Sequence, residues 1–252
     1  MEAVLSVRDL TKTFPGRGRE TFRAVDGVNF DLFPGECLGL IGESGSGKTT
    51  LVNMVTRLIP PTEGSVFLDG ENITALRGAA LRRVYGKLQM VFQTPAASFD
   101  PRRTLGDGIG ESLRNQGMSK AETEREVARL LELCGLGAEF AARYPHQVSG
   151  GQCQRAAIAR AIAVKPKVLI CDEATSALDV TIQAEIMALL RRLRREMNLS
   201  CLFICHDVAL VQSFCGRALV MRRGKIVEEG SVDDVIQNPQ NEYTIRLIDS
   251  VL

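Results

Sequence analysis

Tryptophan is absent and aromatic residues make only 5% of the 252-residue chain, which leaves no stacking platform of the kind that grips single-stranded nucleic acid. Neither sign of charge is in excess. Against 31 Lys and Arg stand 30 Asp and Glu, so bulk attraction to nucleic acid or acidic lipid is excluded and any phosphate binding has to be local. No apolar run reaches the length needed to cross a bilayer. Met1-Glu2-Ala3-Val4 lacks the basic patch and apolar core of a signal peptide. Only two histidines are present, and no pair among the seven cysteines has C-x-x-C spacing, which leaves little from which to build a metal cluster. Most cysteines sit in apolar runs such as Leu169-Ile170-Cys171 and read as buried, reduced thiols. What remains is an ordinary globular balance, 45% hydrophobic and 24% charged, with enough chain for one large domain or two small ones.

Strand and helix signals alternate, the pattern of an α/β sheet. Stretches 4–8 and 28–33 read as strands. Cys37-Leu38-Gly39-Leu40-Ile41 is a short unbroken apolar run, as expected of a strand covered on both faces. A Gly-rich turn follows, then a helix over 48–58 that Pro60-Pro61 ends. Further strands are expected at 65–68 and 88–92. The stretch 95–163 changes character and reads as helical. There Ser119 with Glu122 forms a capping box, and Val127, Leu130, Leu131 and Cys134 make one helical stripe. A buried strand returns at Val168–Asp172, a striped helix carries Ile182, Ile186, Leu190, Leu193 and Met197, and 201–205 is another apolar strand. A hairpin joins 218–221 to 225–228 through Arg223-Gly224. The expected architecture is an α/β core interrupted by an α-helical insert.

Gly42-Glu43-Ser44-Gly45-Ser46-Gly47-Lys48-Thr49, followed by Thr50, fits G-x-x-x-x-G-K-[ST] between a strand and a helix. Glycines let backbone N–H groups converge on phosphate oxygens, and the helix points its positive end at the same place. Lys48 supplies a mobile charge, and the Thr49 hydroxyl suits a Mg²⁺ shell. Asp172 and Glu173 end a buried strand, where ligands of open α/β sheets collect. Asp172 is placed to reach Mg²⁺, and Glu173 to polarise a water attacking the γ-phosphate.

Ser149-Gly150-Gly151-Gln152 opens a predicted helix upstream of Asp172. It resembles the signature motif of ATP-binding cassette (ABC) ATPases, and the resemblance runs over essentially the whole chain. It implies a P-loop NTPase fold with a RecA-like core, an antiparallel β subdomain and the helical insert. The core lobe would span about 1–93 and 165–252, and the insert about 94–164. The resemblance also implies that Gln93 is the Q-loop glutamine touching Mg²⁺ and water, that Asp179 in Ser176-Ala177-Leu178-Asp179 belongs to the D-loop, and that His206 contacts the γ-phosphate. Phe14 would stack on adenine, with Phe22 as a rival. Two such cassettes bind head to tail, each ATP lying between the P-loop of one and the signature helix of the other.

Ala96-Ala97-Ser98-Phe99-Asp100-Pro101-Arg102, Tyr144-Pro145-His146-Gln147, Val180 with Gln183, and Asn238-Pro239 with Tyr243-Thr244 are similar to the ATPase subunits of dipeptide, oligopeptide and nickel importers. Partners then expected are a second ATPase, identical or a sister chain, two membrane permease subunits gripped through Phe99–Arg103, and indirectly an extracytoplasmic solute-binding protein. The place would be peripheral, on the cytoplasmic face of the inner membrane. Val148, Cys153 and Ala174 depart from the usual pattern without removing a catalytic group. An end at Leu252, with no cysteine-bearing tail, slightly favours the short dipeptide or nickel type. Alternatives are a soluble ABC ATPase acting on ribosomes or DNA, or an ATPase-like partner in a metabolic complex resembling that of phosphonate breakdown. The basic run Arg191-Arg192-Leu193-Arg194-Arg195 reads as a solvated helix face rather than a nucleic-acid site.

Overall fold

The computed structural model describes residues 2–16, 20–176 and 178–249. The chain opens on an antiparallel pair, β1 (Leu5–Pro15) and β2 (Thr21–Leu32). Both run well beyond the stretches expected from sequence. Register shifts between Val7 and Leu10, Leu10 and Lys12, and Lys12 and Thr13 break the period-two pattern on which a strand reading depends. Next come β3 (Cys37–Ile41), α1 (Lys48–Val55), β4 (Glu63–Leu68) and the two-residue β5 (Glu71–Asn72). α2 (Gly78–Lys87) was not legible as a helix, since it buries only Val84 and so carries no stripe. It leads into β6 (Leu88–Val91).

The helical stretch follows as α3 (Leu105–Asn115), α4 (Lys120–Leu133) and α5 (Gly150–Ile162). The α4 capping box forms as expected, and its stripe of Val127, Leu130, Leu131 and Cys134 is buried. The chain then runs through β7 (Val168–Asp172), α6 (Val180–Met197), β8 (Ser200–Ile204) and α7 (Val208–Phe214). It closes with β9 (Arg217–Arg222), β10 (Lys225–Ser231), α8 (Val232–Gln237) and α9 (Glu242–Asp249). Among the described residues no helix is long and apolar enough to cross a membrane.

Two sheets result. One is antiparallel, in the order β2-β1-β4-β5; the other has the order β10-β9-β3-β8-β7-β6 and is parallel except at the β9–β10 hairpin. That hairpin turns at Arg223 and Gly224, both at positive φ, as tight turns between twisted strands require. Every residue of β3, β7 and β8 is buried, and alternation explains why. Cys37, Leu169, Cys171, Cys201 and Phe203 face a core shared with the helices. Leu38, Leu40, Val168, Ile170, Leu202 and Ile204 face a second core shared with α1 and the antiparallel sheet. A strand covered on both sides has no polar face to show.

Register then sets the site. Ile204 of β8 lies opposite Leu40 of β3 on one side and Asp172 of β7 on the other, so the carboxyl ends of the three strands finish level. The seven cysteines are all buried free thiols. The arginine run of α6 is exposed at Arg192 and Arg195 and half-buried at Arg191 and Arg194, a solvated face that also makes hydrogen bonds. Arg191 donates to Ser213, Arg192 to the carbonyl of Leu133, and Arg194 to that of Phe214, so three of the four arginines fasten α6 to its neighbours.

Candidate functional site

The loop between β3 and α1 is shaped by what stands beside it. A Cβ on Gly42 would come within 2.2 Å of the Met221 carbonyl, and one on Gly47 within 2.4 Å of that of Ala24, both at positive φ; one on Gly45 would meet nothing. The loop is therefore clamped from behind and open in front. Gly224 N–H donates to the Ser46 carbonyl at 2.8 Å, closing the clamp from the β9–β10 turn. Lys48 is buried, and its Nζ donates to the carbonyls of Gly42 at 2.6 Å and Glu43 at 2.8 Å. Burial pushes this lysine below its ordinary value, against the pull of Glu173 and Asp172. Thr49 is exposed and Thr50 half-buried; Glu43, Ser44 and Gly45 are exposed, Ser46 buried. An open ring of backbone amides at a helix start, with a cation held on the Gly42 and Glu43 carbonyls and more distantly, at 3.4 Å, on the Ser46 hydroxyl, fits a polyphosphate.

Beside it, Asp172 is 9% exposed at the end of β7. Burial, then Glu173, raise its carboxyl above the usual value, opposed by Lys48. Among the described residues its carboxylate has no hydrogen-bond donor, so its oxygens are free for a hard cation. Glu173 turns off the strand at φ 48°, a left-handed geometry costly for a non-glycine residue and common at functional sites. Its N–H donates to the Ile204 carbonyl at 3.0 Å. Its carboxylate accepts from Gln93 Nε2 at 2.7 Å and lies 3.9 Å from His206 Nδ1. Gln93 also reaches Ser176 Oγ at 3.2 Å. Lys48, Gln93, Asp172, Glu173 and His206, scattered over the sequence, thus converge at the ends of adjacent strands.

A family model described as ABC transporter matches residues 25–176. The chain belongs to the ABC transporter family.

It is 46% identical to the glutathione import ATP-binding protein of Pectobacterium atrosepticum and 45% identical to that of Salmonella paratyphi A, each match covering 99% of this chain and 41% of the relative. The chain spans about two fifths of the length of these curated relatives. Among solved structures it is similar to MJ0796, a bacterial ABC transporter cassette solved as a dimer, including a post-hydrolysis state bound to ADP and Pi. The TM-score is 0.83 at 31% identity, covering 90% of this chain and 98% of that one. It is also similar to cbiO1 from Clostridium perfringens, part of the cbiONQ transporter complex, with TM-score 0.82 at 26% identity over 100% of this chain and 96% of that one. The P-loop NTPase fold expected from the resemblance is the one found.

Other positions marked by the ABC resemblance lie outside the strand-end cluster. Ser149 caps α5, with its hydroxyl accepting from Gln152 N–H and the Gln152 side chain accepting from Ser149 N–H. A Cβ on Gly150 would lie 3.7 Å from Leu178, and one on Gly151 only 2.5 Å from Ile182, so this turn is packed against the start of α6. Asp179 serves as N-cap of α6, its carboxylate accepting from Ile182 N–H at 3.0 Å. Ala177 of the expected D-loop lies outside the described residues. Phe14 and Phe22 face each other across β1 and β2 and are 37% and 61% exposed. Core packing is therefore excluded for both, and Lys12 Nζ sits 5.3 Å from the Phe14 ring.

The sequence missed what holds the phosphate loop. Met221, Gly224, Ala24 and Tyr243 carry no local motif for that task. Tyr243 meets Glu43 across 200 positions of chain, and only the closed fold reveals the contact.

Proposed function

We propose that this cassette is an ATP-hydrolysing motor of an importer for a small peptide-like solute. The observation that carries it is the convergence of Lys48, Gln93, Asp172, Glu173 and His206 beside an open phosphate loop. Similarity over 99% of the chain to proteins named for glutathione import, and glutathione being itself a peptide, support the cargo class over nickel.

In this reading the amides of Gly45–Thr49 cradle the phosphates, and Lys48 swings from its carbonyl anchors to the β and γ oxygens. Thr49, Asp172 and Gln93 would hold Mg²⁺, which when bound offsets phosphate charge. Glu173 exchanges its bond from Gln93 for one from water and draws the water's proton as attack begins. His206 steadies the γ-phosphate. These are positioning and charge-stabilising tasks, the main terms in phosphoryl transfer. Phe14 stacks on the adenine. Ser149–Gln152 serves the ATP of a second cassette, identical or a sister chain, and Asp179 lies at the seam. The helical insert, about 94–164, moves against the core lobe and passes the motion to two membrane permease subunits, with a solute-binding protein acting on their far side. The cassette then works peripherally at the cytoplasmic face of the membrane.

The test is ATP turnover by the purified chain with and without Mg²⁺. Mg²⁺-dependent phosphate release that Lys48→Ala lowers about 100-fold or more is expected. No release from the unaltered chain, alone or with a sister cassette, would overturn the reading.

A further inference from the structure

The peptide unit between Gly42 and Glu43 is gripped at both ends. Its carbonyl accepts from Lys48 Nζ at 2.6 Å, and its N–H donates to the Tyr243 hydroxyl at 3.0 Å. A trans peptide is planar with C=O and N–H pointing in opposite directions, so fixing one end fixes the other. Nothing in the loop itself holds the Glu43 N–H; the hydroxyl that does so comes from α9.

Tyr243 is well supported for the task. It is 4% exposed. The Arg222 guanidinium lies 4.7 Å from its ring centroid, at the end of the strand whose turn already binds Ser46. Its own N–H donates to Asn241 Oδ1 at 2.9 Å. The Glu228 carboxylate on β10 accepts from the N–H groups of Gln240 at 2.7 Å and Asn241 at 3.2 Å. The segment entering α9 is thus tied to β10, and α9 to the phosphate loop.

We propose that Tyr243 is a positioning residue for ATP binding, and that the start of α9 is a strap that holds the Gly42–Glu43 peptide so that its carbonyl can park Lys48 facing the loop. The proposal rests on the ATPase reading above. Without the hydroxyl the peptide is free to rotate. The loop then pays an ordering cost when nucleotide arrives. The hydroxyl holds the loop's backbone rather than a reacting group, so the loss falls on binding more than on the chemical step.

The experiment compares the unaltered chain with Tyr243→Phe, which keeps the ring, its burial and the Arg222 contact. Three readouts are taken: amide hydrogen exchange at Glu43, KM and kcat for ATP, and Tm. Expected are several-fold faster exchange at Glu43, a KM raised about three- to tenfold, kcat within about twofold, and Tm within about 2 °C. Unchanged exchange at Glu43 or an unchanged KM would overturn the strap. A kcat loss with KM unmoved would overturn it as well. Arg222→Lys, which leaves the hydroxyl in place, should keep KM unchanged; a KM raised alike in both variants together with a large Tm drop would assign Tyr243 to stability and overturn the strap. No turnover in the unaltered chain is a different result, because it strikes the ATPase reading itself.

Discussion

Glu173 is the residue on which the site turns. It sits at positive φ, one position beyond a regular strand, and its carboxylate is occupied by Gln93 and faced by His206. A regular extended conformation there would keep the side chain in the strand's alternation, away from Gln93. His206 is 62% exposed at its side chain, so its removal gives up little burial. His206→Ala should therefore lower ATP turnover about 10- to 100-fold while Tm moves by no more than about 1–2 °C; phosphate release and a melting curve on one preparation check this. Away from the site, partial burial pushes Asp69 up, but hydrogen bonds from Lys167 and Lys87 outweigh it and hold the carboxyl below its ordinary value. A depressed carboxylate adds stability above the unfolded value of 3.8 and loses it as pH falls through the folded one. Asp69→Asn should cost about 1 kcal/mol or less near neutrality, and the gap to the unaltered chain should close below pH 3.8. Denaturant melts at several pH values read it directly.

At the level of elements, the start of α5 carries two duties, a capping box and a close packing against α6. Ser149→Ala removes the cap and should cost about 1 kcal/mol, a Tm drop of about 2–4 °C in a domain of this size. Gly151→Val drives a branched side chain into Ile182, which would stand only 2.5 Å from the first carbon added at that glycine, and should destabilise by about 1–3 kcal/mol. Thermal melts of the two variants separate cap from packing. Features with local signals were legible in the sequence. Ser119 and Glu122 of the α4 capping box are three apart, the stripe of α4 repeats at helical spacing, and β3, β7 and β8 are unbroken apolar runs; the cap and packing at the start of α5 were not read. The β1–β2 pair was only half legible, because its bulges shift the face on which each residue falls. The partners of the α6 arginines were not legible, since their guanidinium groups reach carbonyls of α4 and the α7 end that only the tertiary fold brings near. The Tyr243–Glu43 bond had no sequence signal at all.

For the whole molecule, the two cores explain how a near-neutral chain can handle a polyphosphate. Both faces of the parallel sheet are covered, and the candidate site gathers at the carboxyl ends of β3, β7 and β8, which finish level. There Lys48 and Asp172 are buried and Glu173 half-buried, and in the proposed reading backbone amides and Lys48 meet the anion. The signature turn at Ser149–Gln152 keeps its hydrogen bonds within α5, apart from the cluster around Glu173. In the proposed reading a second cassette completes a site split in this way, the pairing being driven by ATP and released by Glu173. The most direct measurement is light scattering of Glu173→Gln in ATP with Mg²⁺, alongside the unaltered chain and, where the mate is a sister cassette, with that cassette present. The account predicts a stable two-cassette species holding unhydrolysed ATP in the variant, with the unaltered chain returning to single cassettes as ATP is consumed. A variant that stays single in ATP, or that turns ATP over at the unaltered rate, would contradict it.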